Sequence, residues 1–502
     1  MSLPPASAAA EPDALKEGED IKALAKGGRT NFFGFLLRLA ARLPFLFIAG
    51  RWYGAEALGR FAYAIIIVEF VATLATLGLK RGLAAQLSAT ERPHVHVVWD
   101  ALLVGAIASA VAATVLGALP QLMFPNSDIN GLEWLLPLTI FALAWSDISL
   151  AALAYRLDIA ATVRARSVIE PWTISIAAFG LAFYSLRDGL IIAYVVSMVA
   201  ALVASIWPLL KSFGWPHGWR PRPSSLFMLA KRNVPLAAAD AIEWGSRRLD
   251  IAILGLFFSP AIVGVYYVAQ QVASLPQKLK TSFDPILGPV ITRNLEAGNR
   301  EAVAKQVAQV GFWIIAAQAA VGLALGIPGE GVMGLVGPHF VAGTIALAFL
   351  LLAEVVAATA AVSEAALIYV ARHFNLWISM GMILVQILLS FALVLLLRDE
   401  LHLPVFWQSA APAIALALAL GIASIAKAKL LARLLDAPVS GWRWPLVWAS
   451  LVAGAVGYLF TRLPEWAELA FGIPAILLAF GLIIWRFGFT SEDRMLFRFR
   501  EA

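Results

Sequence analysis

About fourteen continuous apolar runs, each roughly 20 residues long, constrain this chain more than any other feature. They cover approximately 30–50, 58–79, 97–124, 132–155, 167–184, 189–210, 233–258, 261–287, 303–327, 342–370, 374–397, 405–430, 444–461 and 467–487. At 1.5 Å per residue, a helix of this length matches a hydrocarbon core about 30 Å thick. A helix also satisfies its own backbone donors and acceptors where no water can. A barrel would show period-two alternation, which is absent from these runs. The expected class is therefore an all-α polytopic membrane protein. Composition agrees: 61% of residues are hydrophobic and 14% charged, against about 45–50% and 25% in a soluble domain. There is no cysteine, which excludes disulfides and thiolate metal sites.

The loops set the orientation. Those after even-numbered runs carry the base: Lys80, Arg81 and Arg92, then Arg156, Arg164 and Arg166, then Lys211, Arg220, Arg222, Lys231 and Arg232. The same holds for Arg293, Arg300 and Lys305, for Arg372, for Lys427, Lys429, Arg433 and Arg443, and for Arg494, Arg498 and Arg500. Loops after odd-numbered runs hold little, and residues 125–131 hold none. The positive-inside rule then places both termini in the cytoplasm. Residues 1–23, rich in Ala, Pro and Glu, read as a disordered cytoplasmic tail without the marks of a signal peptide.

The chain also repeats itself. Leu24-Ala25-Lys26, Arg42, Gly59, Phe61 and Ala64 recur 205 residues later as Leu229-Ala230-Lys231, Arg247, Gly264, Tyr266 and Ala269. Ala151-Ala152-Leu153-x-Tyr155 recurs as Ala365-Ala366-Leu367-x-Tyr369, and Gly218-Trp219-Arg220 as Gly441-Trp442-Arg443. The matches keep their order and their place in the topology. Six spans per copy is an even number, so both halves enter from the same side. They should be related by an axis along the membrane normal, with a solute path between them. The expected organisation is an N-terminal six-helix lobe (24–210), an inter-lobe linker (211–228), a C-terminal six-helix lobe (229–433), and two further helices with a tail (434–502).

Arg42, followed by Tyr53-Gly54-x4-Gly59-x-Phe61-x2-Ala64 and Leu77-Gly78-Leu79, resembles the opening of Wzx-type polysaccharide-lipid flippases. Gly337-Pro338-x-Phe340 before an apolar helix resembles the second-half signature of the same group. That group lies in the multidrug/oligosaccharidyl-lipid/polysaccharide (MOP) exporter superfamily, beside the lipid II flippases and the multidrug extruders. The resemblance covers roughly residues 24–433. It implies two lobes around a V-shaped cavity and transport by alternating access. The implied cargo is a polyprenyl diphosphate-linked oligosaccharide, moved from the cytoplasmic to the outer leaflet for polysaccharide biosynthesis. Membrane lipids and polysaccharide polymerase or export machinery are the partners expected. The alternatives are a lipid II flippase proper, a multidrug or organic-cation extruder, and a membrane polymerase or ligase. The short loops of the base-poor side weigh against the last.

Charges inside the runs mark the expected site, because intramembrane charge is costly. Arg38 and Arg42 lie i,i+4 on one helix face. Arginine suits the oxygens of a diphosphate better than lysine does. In the seventh run Asp240, Glu243, Arg247 and Asp250 fall within about 80° of arc, beside Arg248. The expectation is a polar stripe facing the cavity. Arg38, Arg42, Arg247 and Arg248 would contact anionic cargo. Asp240, Glu243, Glu69 and Glu354 would serve coupling or gating, with Na⁺ or H⁺ as the coupling ion. An internal Glu243–Arg247 ion pair is the structural alternative. Asp147, Glu170 and Glu364 are further acids within runs. No P-loop, histidine cluster or large soluble loop is present, so an enzyme, a cofactor and a nucleic-acid partner are not expected.

Overall fold

The computed structural model describes residues 43–281, 291, 295, 299–490 and 493–494; side chains at 159, 246, 247 and 277–281 fall outside the description. Arg38 and Arg42 therefore lie outside the described residues, as does the side chain of Arg247.

The described chain is a succession of helices. Residues 43–53 (α1) end in a π-helical turn, Ala49–Tyr53. Then come α2 (Gly54–Ala75), α3 (Leu79–Ser88), α4 (His94–Ala118) and α5 (Leu135–Tyr155). The next helix, α6 (159–181), contains a π-helical stretch at Val163–Ile169. It is followed by α7 (Gly189–Phe213), α8 (Pro223–Phe257), α9 (Pro260–Thr281), α10 (Arg300–Gly326) and the short α11 (Gly329–Val336). The rest are α12 (Thr344–Val370), α13 (Arg372–Leu395), α14 (Val405–Leu435), α15 (Pro445–Phe460) and α16 (Glu465–Gly488).

Each expected span from the second to the fourteenth coincides with a helix over its described residues, those of the eighth ending at 281, and the seam at 185–188 falls between α6 and α7. Nine helical stretches among the described residues are long and apolar enough to cross a membrane. The helix α8 is not one of them, since it concentrates five charges between Asp240 and Asp250. It starts at Pro223, ten residues before the expected span. Its 35 residues reach about 52 Å, well beyond the ~30 Å core. Its first turns therefore extend beyond that thickness at the base-rich end, where Leu226, Leu229 and Ala230 pack against the N-terminal half.

The apolar residues pack in three clusters. One runs through both halves, from Leu58, Phe61 and Ile66 on α2 to Ile251 on α8 and Tyr266 and Val268 on α9. A second lies in the first half at the base-rich end, around Leu79, Leu83, Val98 and Leu153. The third joins α10, α12 and α14 to α15 and α16 through Phe312, Ile315, Ala449, Ile476 and Phe480. The two additional helices thus belong to the C-terminal half. Other apolar side chains face outward, such as Leu384 and Leu388 on α13 and Leu478 and Leu482 on α16. An apolar exterior over helices that satisfy their own backbone is what a lipid solvent requires.

Candidate functional site

The site lies where the two halves meet, and α2, α3, α8 and α9 build it. At the base-poor end α2 crosses α9 through Gly59 and Gly264, the glycines that the 205-residue repeat makes equivalent. A methyl group on Gly59 would lie 1.7 Å from the Pro260 carbonyl oxygen. One on Gly264 would lie 2.0 Å from the Ala55 carbonyl oxygen. Ala55 and Pro260 are separated by the same 205 residues. The contact is therefore reciprocal, as at an interface on a two-fold axis. It is close because neither helix has a side chain there.

Two further bridges seal this end. Asn126, in the loop after α4, donates to the carbonyls of Gly255 (2.8 Å) and Phe258 (3.1 Å) at the end of α8. In the same direction Arg51, at the end of α1, donates to Leu335 O at 2.9 Å through Nη2 and 3.1 Å through Nε. Both donors thus come from the N-terminal half and reach backbone oxygens of the C-terminal half. Behind Asn126, the buried Arg60 is held by Glu133, by Asp188 (3.3 Å) and by Asp128 O (3.2 Å), and it lies over the Phe124 ring. Glu133 in turn accepts from the backbone N–H groups of Asn130 and Gly131. The loop that presents Asn126 is therefore fixed by a charge-paired cluster.

At the base-rich end the contact is ionic. The chain breaks between α2 and α3 at Leu77 (φ +48°) and Gly78 (φ +71°). Gly78 then meets α8 with no room for a side chain, since a methyl group would lie 2.6 Å from Asn233 O and Ala237 N. This places α3 beside α8. Arg81 Nε lies 2.5 Å from Asp240 Oδ1, and its Nη2 lies 2.5 Å from Glu243 Oε2. Lys80 Nζ is 3.8 Å from Asp240 Oδ2. Asp240 is only 2% exposed. Its oxygens accept no well-directed hydrogen bond among the described residues, so it relies on charge alone. One turn deeper, Phe70 packs on Trp244 with ring centroids 5.1 Å apart.

The remaining intramembrane charges are grouped inside each half. In the first, Arg166 on the π-helical stretch of α6 binds Asp147 on α5 and, at 2.8 Å, Glu170. Glu69, Glu170 and Arg166 lie within electrostatic reach of Tyr194 on α7, as does Tyr267 from α9. In the second half, the buried Lys427 contacts Glu364 (3.2 Å) and Ser379 Oγ (3.1 Å). Asp250 accepts from Tyr266 Oη (2.8 Å) and Gln270 Nε2 (3.0 Å). The repeat counterparts of Asp250 and Tyr266 are Phe45 and Phe61, whose rings touch at 5.7 Å. One copy keeps an apolar pair where the other has a hydrogen bond.

Of the residues singled out by sequence, Asp240 and Glu243 come together at the α3–α8 contact. Glu69 sits midway along α2, Arg248 on α8 and Glu354 on α12, all partly exposed. The polar stripe of α8 divides: Asp240 and Glu243 turn toward α3, and Asp250 is buried against α9. Sequence reasoning assigned Lys80, Arg81, Arg166 and Lys427 to loops, yet each meets an intramembrane acid. The available signal was charge balance, with Arg166 and Glu170 at i,i+4.

A family model described as polysaccharide biosynthesis protein matches residues 49–315, just over half of the chain. The chain belongs to the polysaccharide biosynthesis protein family. No curated protein matches it. Among solved structures it is similar to the lipid II flippase MurJ in an inward closed conformation. The TM-score is 0.70 at 13% identity, over 93% of this chain and 100% of that one. An inward-facing multidrug resistance MATE family transporter of the MOP superfamily gives 0.64 at 13% identity, over 80% and 99%. A MATE protein in complex with MaD5 gives 0.55 at 14% identity, over 84% and 98%. This family member thus has the fold of the MOP superfamily flippases and transporters: fourteen membrane helices in two lobes.

Proposed function

We propose that this protein is a flippase that moves a polyprenyl diphosphate-linked oligosaccharide across the inner membrane by alternating access. What carries this reading is family membership in polysaccharide biosynthesis joined to a fold shared, over nearly the whole chain, with a lipid II flippase. The lobes are residues 24–210 and 229–433. The base-rich end faces the cytoplasm, so the state described here is closed to the outside.

In this scheme the Gly59–Gly264 crossing and the Asn126 and Arg51 bridges form the outer gate. The Arg81–Asp240–Glu243 contact belongs to the inner gate, and its acids exchange partners as the lobes tilt. Arg38, Arg42, Arg247 and Arg248 hold the cargo diphosphate between the gates. Glu69 and Glu354 answer to a coupling Na⁺ or H⁺. Polysaccharide polymerase and export machinery receive the flipped product.

The test is transport by Arg42→Ala and Arg247→Ala variants. Both should insert at wild-type levels and fail to export glycan. Normal export in both at wild-type expression would overturn the arginine–cargo assignment.

A further inference from the structure

Between Lys211 and Ala239 the chain holds Lys211, Arg220, Arg222, Lys231 and Arg232 and not one carboxylate. The segment comprises the end of α7, the inter-lobe linker and the first turns of α8. Its basic side chains are exposed, and none has an ion-pair or hydrogen-bond partner among the described residues. Exposed apolar side chains alternate with them: Trp207, Trp215, Phe227 and Met228, the last two about 70% exposed.

The segment is nonetheless built into place. Trp215 stacks on Trp99 of α4 at 5.9 Å, and Trp219 packs on Trp99 at 5.8 Å. Trp219 Nε1 donates to Asp100 at 2.9 Å, and Arg92 neutralises the same carboxylate at 2.9 Å. His96 Nε2 meets His217 O at 3.0 Å. The backbone is thus strapped under the N-terminal lobe while its charges point away from protein.

The second copy of the Gly-Trp-Arg motif shows the contrast. There Arg443 is internalised: it binds Asp493 (2.6 Å) and Gly488 O (2.7 Å) and covers the Phe312 ring. The equivalent Arg220 in the first copy has no such acid. The same motif is closed on itself in one half and left open in the other.

We infer that the strap and the exposed face of the first turns of α8 form a binding surface for anionic phospholipid headgroups of the adjoining leaflet. Charge complementarity identifies the occupant. A partnerless basic row at the level where α8 leaves the hydrocarbon, interleaved with Trp, Phe and Met, matches the phosphate layer and the acyl boundary beneath it. The surface spans the connection between the lobes, so bound lipid would sit at the hinge. The inference does not depend on what the protein transports.

The experiment uses purified full-length protein in detergent, titrated with phosphatidylglycerol or phosphatidylcholine, with bound lipid counted by native mass spectrometry. The wild type should prefer phosphatidylglycerol. The variant Arg220→Ser/Arg222→Ser/Lys231→Ser/Arg232→Ser should lose about tenfold or more of that preference, with phosphatidylcholine binding unchanged. Salt at about 0.5 M should weaken the wild type and leave the variant unaffected. Arg220→Lys/Arg222→Lys should keep the preference, and so should Lys429→Ser/Arg433→Ser, which removes base from the other lobe. A quadruple variant with wild-type preference would overturn the inference. So would equal loss in the Lys429/Arg433 control, or displacement of the lipid by millimolar inorganic phosphate, which would assign a small-anion site instead.

Discussion

Gly59 and Gly264 are the same residue of two sequence copies, and the fold presses them together where α2 crosses α9. Each lies against the carbonyl of the other copy's residue four positions earlier, Pro260 and Ala55. A repeat written in sequence thus becomes a two-fold contact in space. Because the surfaces are backbone, the contact has no side chains with which to yield.

A side chain here should hold the end open. Gly59→Leu is expected to splay α2 from α9, since the clash is with backbone that cannot rotate away. The chain lacks cysteine, so a single introduced thiol reports cleanly. Val263, 2% exposed beside the crossing, supplies it. Val263→Cys should react slowly with a water-soluble maleimide and at least about tenfold faster with Gly59→Leu added, a change worth about 1.4 kcal/mol of opening free energy. Unchanged labelling would show that the crossing is not what closes this end.

Arg81 should matter through the acid it neutralises. Removing it leaves the buried Asp240 with only Lys80 at 3.8 Å. Arg81 is itself about half exposed, so solvent screening limits the loss to about 1–2 kcal/mol. Arg81→Met should lower the thermal midpoint, and Arg81→Met/Asp240→Leu should recover most of it. Thermal unfolding of the two variants decides this, and failure of the double variant to recover would contradict it.

Arg166 should be less replaceable. Its loss leaves both Asp147 and Glu170 without their shared cation inside the first lobe. Breaking a fully buried pair typically costs about 3–5 kcal/mol, and partial exposure of these three side chains places the loss at or below the lower end of that range. Arg166→Met should therefore destabilise more than Arg81→Met, and Arg166→Lys should fall between. Comparable midpoints for the two Met variants would show that water already solvates the cluster.

The helices were legible because lipid leaves so few options. Apolar runs of bilayer length must be helical, and alternating loop charge fixes their parity, so even the 185–188 seam was visible. The repeat foretold two lobes, yet it could not say that Gly59 would meet Gly264, since touching depends on where the axis falls. The acids of α8 were visible as costly, but their partners were not. Arg81 is brought to Asp240 by a positive-φ break at Gly78, and Arg166 is carried inward by a π-helical stretch. Neither has an apolar periodicity to reveal it. Arginines near run ends look like loop charge until the chain is folded.

Asp493 gives a pH dependence. Burial alone raises its carboxyl, but hydrogen bonds from Arg443, Thr490 and Gln309 outweigh this and hold it below the usual aspartate range. A group depressed in the folded state binds protons more readily unfolded, so it stabilises the fold above the ordinary aspartate value of about 4. That contribution is lost as pH falls further. Asp493→Asn should lower the midpoint at pH 7 and flatten its fall between about pH 5 and 3. Parallel pH profiles for variant and wild type would contradict it.

The most direct measurement is lipid mass spectrometry on a strain lacking this gene, combined with a probe of which leaflet holds the lipid. A flippase predicts accumulation of a polyprenyl diphosphate-linked oligosaccharide on the cytoplasmic face, and its mass would identify the glycan. An unaltered lipid profile with changed tolerance to cationic drugs would contradict the account and favour an extruder. Accumulation on the outer face would contradict it as well, placing the defect after translocation.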